Sequence, residues 1–205
     1  MRLKKTTHVA LLVVLVLGTA AFVLAWSGPA FGQDATPPVA GPDADAKIAN
    51  AMSAGPSAIA AHATILDNEM DDAGAFVVLR EGDNGWFCYP DSPGSPSNDP
   101  MCADQTWVDW MYAYMHGEAP PTSVPGLAYM LQGGTDASNT DPMATEPPPG
   151  EDWITSPPHV MLLMPQQLDQ TVFTTDYQSG EPWIMWAGTP YEHIMMPVVS
   201  ADHDE

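Results

Sequence analysis

The first 32 residues follow an order that takes them out of any folding argument. Arg2, Lys4 and Lys5 come first, then 18 residues without a charge from Val9 to Trp26, then the small residues Ala30 and Gly32 ahead of Gln33. Charged, apolar and small residues in that order make a secretory signal and predict export with cleavage after Gly32. Eighteen apolar residues also just suffice to span a bilayer, so an uncleaved anchor is the alternative. Residues 33–42, with Pro37, Pro38 and Pro42, read as a flexible leader. Residues 43–205 then form a single acidic α+β domain, about 160 residues being enough for one core and too few for two.

Export sets both the charge and the redox chemistry. Once residues 1–32 are removed, only Lys47 and Arg80 oppose 26 acidic residues, a net charge of −24. A field of that sign repels phosphate backbones and anionic lipid, so nucleic acid is excluded as a partner, and so is a membrane beyond the N-terminal segment. Small molecules, cations and basic proteins are the partners it favours. The two cysteines, Cys88 and Cys102, bracket a segment rich in Pro, Ser, Asn and Asp, and in an oxidising compartment they are expected to pair.

Hydrophobic periodicity supplies the elements. Asp43 caps a helix through Met52, and a shorter helical piece covers Ser57–His62. Strands are expected at Ala63–Leu66, Ala75–Arg80 and Gly85–Tyr89, the last two as a hairpin around Glu81-Gly82-Asp83-Asn84. The clearest helix runs from 104 to 116, with a buried stripe of Trp107, Trp110, Met111, Tyr114 and Met115. Later strands are Gly126–Leu131, His159–Met164, Trp183–Ala187 and Tyr191–Val199. Without β-α alternation this is an α+β fold: an antiparallel or mixed sheet of about six strands, one or two covering helices and one disulfide. The segment between Leu131 and His159 is too rich in Pro and Gly for helix or strand, and reads as a long packed loop where a site is to be sought.

That loop opens with six oxygen-bearing side chains within Thr135–Asp141. Hard cations such as calcium take ligands of this kind, although the spacing is not that of an EF-hand; a cluster of turns bonding its own backbone is the alternative. A second candidate is the pair of phrases Pro158-His159-Val160-Met161 and Glu192-His193-Ile194-Met195. Residues two apart share a strand face. If the two strands are neighbours, imidazoles and thioethers converge as copper prefers; if not, the methionines fill core. The metal-ligand candidates are therefore Asp136, Asp141, His159 and His193, for calcium or copper. Ser138, Asn139, Arg80 and Tyr191 are candidates for ligand contact, Arg80 through an anionic group or else a carboxylate of the chain itself.

Several phrases, among them Asn84-Gly85-Trp86-Phe87-Cys88, Asp99-Pro100-Met101-Cys102, Tyr129-Met130-Leu131-Gln132-Gly133-Gly134-Thr135 and Gly188-Thr189-Pro190-Tyr191, together resemble a family of uncharacterised secreted bacterial proteins. The resemblance spans most of the mature domain and implies one coherent exported unit, with no functional residue to carry over. Neither GxSxG nor HExxH occurs. The sequence thus points to an extracytoplasmic binding or interaction protein, with a divalent-metal site at the long loop. The alternative is a small secreted hydrolase using a histidine as general base, with Ser138 as nucleophile.

Overall fold

The elements run α1 (Pro42–Met52), α2 (Ser57–Ala60), β1 (Thr64–Met70), β2 (Phe76–Arg80), β3 (Trp86–Tyr89), β4 (Met101–Asp104), α3 (Gln105–Met115), β5 (Gly126–Met130), β6 (Gly134–Asp136), β7 (Ile154–Ser156), β8 (His159–Leu163), β9 (Trp183–Met185) and β10 (His193–Pro197). This computed structural model describes residues 42–121 and 123–198. The expected export segment, the expected leader up to residue 41 and Val199 at the end of the last expected strand lie outside the described residues. No helix among the described residues is long and apolar enough to cross a membrane.

Eight strands form one sheet in the order β2-β1-β3-β4-β5-β8-β10-β9, and β6 pairs with β7 in a separate two-stranded sheet. Every pairing is antiparallel except β1 with β3. The fold is α+β with a largely antiparallel sheet, and the main sheet holds eight strands rather than about six. β4 is four residues pressed against the start of α3, too short to show alternation before the helical period takes over. The long loop is not structureless either, because β6 and β7 clamp it with Gly134 opposite Ser156 and Asp136 opposite Ile154.

The expected β2–β3 hairpin does not form. β1 lies between the two strands, antiparallel to β2 and parallel to β3, and Glu81–Asn84 crosses over the start of β1 instead of turning back. Three bonds seat the crossover: Gly82 N–H to the Thr64 hydroxyl at 3.1 Å, Asp83 N–H to the His62 carbonyl at 2.9 Å, and the Asn84 amide to the Ile59 carbonyl at 2.8 Å. A Cβ on Gly82 would stand 2.3 Å from the Ala63 carbonyl carbon and the Thr64 nitrogen, which are backbone atoms that cannot rotate away. Gly82→Ala is therefore expected to destabilise the protein by more than about 2 kcal/mol, an overpacking cost. Urea unfolding checks this, and a midpoint unchanged from wild type would contradict the crossover geometry.

The sheet carries a separate core on each face. On one side α1, α2 and the turns that follow them cover Ile65, Cys88 and Cys102 with small residues, Ala51, Ala54, Ala60 and Ala63, so that backbones approach the sheet closely. Lys47 fixes α1 to β1 through an ion pair of 2.7 Å with the buried carboxylate of Asp67. Cys88 and Cys102 lie directly opposite each other on β3 and β4 and are joined by the disulfide, both fully buried.

On the other face α3 covers Ala103, Ala128, Met161 and Met195 with Trp107 and Trp110. Asp104 starts this helix by accepting from the Trp107 N–H at 3.0 Å, and its other oxygen accepts from Leu127 N–H on β5 at 2.7 Å, so one carboxylate caps the helix and docks it. Gly117, at φ +65°, closes it. The expected stripe is narrower than its spacing implied. Met115, the last residue of the helix, is 44 % exposed.

Candidate binding cleft

A cleft of about 480 Å³ runs across the α3 face of the sheet. Strand register builds its floor. Residues directly opposite each other share a face, so Met101 on β4, Met130 on β5, Met161 on β8, Met195 and His193 on β10 and Met185 on β9 all look the same way. α3 supplies one wall through Trp110, Met111 and Tyr114, and the β6 segment with residues 137–144 supplies the other.

Aromatic packing fixes the end nearest β9 and β10. Trp110, Tyr114 and Trp186 lie nearly parallel, with ring centroids 5.6 to 6.2 Å apart and planes within 7° of each other. Trp186 holds a left-handed conformation at φ +54°, costly for a residue with a Cβ, which ends β9 earlier than its sequence implied. The long loop holds it there. Trp186 N–H donates to the Asn139 carbonyl at 2.9 Å, and its indole N–H donates to the Ser138 carbonyl at 2.8 Å.

The candidate residues divide between cleft and scaffold. Asp136, Asp141, Ser138 and His193 line the cleft. His159 does not: it is 1 % exposed, its Nδ1 meets the Pro157 carbonyl at 2.7 Å, and its buried Nε2 has no partner. Asn139 is structural, its amide donating to the Thr175 carbonyl and accepting from the Trp183 indole. Tyr191 is core, edge-on to Trp110 and Tyr114, with its hydroxyl donating to the Glu118 carbonyl at 3.0 Å. Arg80 pairs with no carboxylate among the described residues. Its guanidinium donates to the Ala60 and Ala63 carbonyls at 2.7 and 3.0 Å, tying the end of α2 to β2.

The expected hard-cation set is not assembled. Among the described residues no group of three or more His, Cys, Asp or Glu is placed to hold a metal ion. Three of the six oxygen-bearing side chains of Thr135–Asp141 serve their own loop, and Thr135 and Asn139 bond to Ser97 and Trp183. The Ser138 hydroxyl accepts from Thr140 and Asp141 N–H, and the Asp141 carboxylate accepts from Met143 N–H. No imidazole bonds to Ser138, so the nucleophile and base of the hydrolase reading are not joined.

The Tyr89 hydroxyl, which also lines the cleft, is buried without a partner among the described residues, and two further groups there carry an acceptor that no described residue engages. Among the described residues the Asp136 carboxylate makes no hydrogen bond or ion pair, and burial, with Asp99 nearby, pushes it up to about 7. His193 is 2 % exposed, and its Nδ1 meets the Tyr191 carbonyl at 3.1 Å. A carbonyl only accepts, so Nδ1 carries the proton and Nε2 presents a lone pair. Burial pushes this imidazole down to about 4 and keeps it neutral. No lysine or arginine lines the cleft.

No protein-family model, curated protein or solved structure matches the chain. The cleft is therefore read from its own chemistry. Sequence reasoning identified Asp136 and His193 as candidates through their motifs, but missed Trp186, Tyr114 and Met185, whose place in the cleft depends on long-range register. The disulfide belongs to a non-reducing environment.

Proposed function

We propose that this protein is an extracytoplasmic binding protein that captures a small cation in the cleft between α3 and the β6 loop. One observation carries the reading: Asp136, a carboxylate lining a methionine- and aromatic-walled cleft, has no side-chain partner among the described residues. An unpaired, half-buried carboxylate is costly to keep ionised, and a cation removes that cost. The rest of the lining agrees. Asp99, Asp141 and His193 are acceptors, aromatic walls attract positive charge, and the strongly acidic chain concentrates cations around itself. Lys47 and Arg80, the two basic side chains among the described residues, are engaged on the opposite side of the sheet.

Calorimetric titration with Ag(I), with benzylamine and longer organic amines, and with neutral and anionic isosteres of those amines tests this. At least one cation is expected to bind where its neutral and anionic counterparts do not, with Asp136→Asn weakening it tenfold or more. Equal binding of the isosteres, or an Asp136→Asn variant that binds as tightly as wild type, would overturn the reading.

A further inference from the structure

We infer that the cation is a soft monovalent metal ion, Cu(I), held on the cleft floor by Nε2 of His193 with the thioethers of Met161, Met185 and Met195. This rests on the cation reading above and narrows it to one chemical class. Register provides the constellation. Met185 lies directly opposite His193 across the β9–β10 pair, Met195 is two residues along the same strand face, and Met161 lies directly opposite Met195 across β8–β10. All four side chains line the same cleft.

The imidazole is set as a ligand. Its Nδ1–H is committed to the Tyr191 carbonyl, the outer bond that orients metal-binding histidines, and its Nε2 makes no hydrogen bond although the residue is almost wholly buried. Methionine as mere filler accounts for the thioethers, but leaves unexplained why an imidazole with an unused lone pair is buried among them.

The donor set then chooses the ion. Thioether sulfur and neutral imidazole suit Cu(I); calcium and magnesium require oxygen ligands. Both cysteines are in the disulfide, so no thiolate competes. Four neutral donors leave the ion its single positive charge, and Asp136 supplies a negative charge in the same cleft. Trp107, Trp110 and Trp186 stand edge-on around His193 at 5.2 to 5.7 Å, an apolar shell that keeps water from the ion.

The test titrates the purified protein with Ag(I), a redox-inert soft ion, and anaerobically with Cu(I) against a bicinchoninate competitor. Tryptophan fluorescence and calorimetry report the binding. One tight equivalent is expected, with quenching, and a loss of tenfold or more in Met195→Leu and in the Met161→Leu, Met185→Leu, Met195→Leu triple variant. Met-to-Leu exchange preserves volume, so these variants fold where His193→Gln fails to. Met143→Leu, at an exposed position, is expected to bind as wild type does. Absence of the tight equivalent, or a triple variant that retains it, would overturn the proposal. If organic amines bind in an Asp136-dependent manner while Ag(I) and Cu(I) do not, the metal assignment falls and the cation reading stands; if neither class binds, both fall.

Discussion

Replacing Cys88 and Cys102 together with alanine is expected to lower the melting temperature by about 6–12 °C. The bond closes a loop with a sequence separation of 14. In the chain-entropy account such a closure is worth on the order of 3 kcal/mol, and in a domain of this size each kcal/mol moves the midpoint by about 2–4 °C. The setting allows little compensation. Both sulfurs are fully buried, and Gly55 approaches so closely that a Cβ there would stand 3.0 Å from Cys102 Cβ. The bond also fastens β3 to β4, whose opposite face carries Met101 into the cleft, and it closes the segment bearing Asp99. Circular dichroism melts of the double variant, and of wild type with reductant added after unfolding, measure the effect. A midpoint within about 2 °C of wild type would show that cross-strand pairing alone holds these strands.

What the sequence made legible was local. Period-two spacing put His159 beside Met161 and His193 beside Met195, and both pairs lie on strand faces as that spacing requires. Helical spacing found α3, and Asp104 and Gly117 mark its ends in the structure. Register was not legible, because it is decided between segments far apart in the chain. Nothing near Met185 announces that it will face His193, and nothing near Glu81–Asn84 announces that β1 will lie between β2 and β3. Composition misled where short polar residues were read as ligands: Ser138 and Asp141 satisfy loop amides, and Asn139 ties the long loop to Thr175 and to Trp183 of β9. Asp136 has the same kind of side chain in the same segment. It differs by having no side-chain partner among the described residues, and an absent partner leaves no trace in a sequence.

Asp136→Asn is expected to stabilise the protein, and to do so more at pH 8 than at pH 5. An aspartate in the unfolded chain titrates near 3.9, whereas burial carries Asp136 up to about 7 in the folded protein. Between those values the folded state holds a proton that the unfolded chain has lost. Stability therefore falls as pH rises through this window, and the full cost of the buried charge is present above about 7. Asparagine keeps the shape and cannot ionise, so its advantage grows by about 2–3 kcal/mol from pH 5 to pH 8 for a shift of this size. Asp99, which burial also raises, adds to the same trend in wild type and remains in the variant, so the difference reports Asp136 together with its repulsion from Asp99. Urea unfolding of both proteins at the two pH values gives the result, and a gain independent of pH would mean that Asp136 is already ionised at pH 5. Combined with lost cation binding, a variant more stable than wild type would mark Asp136 as a residue kept for function at the expense of the fold.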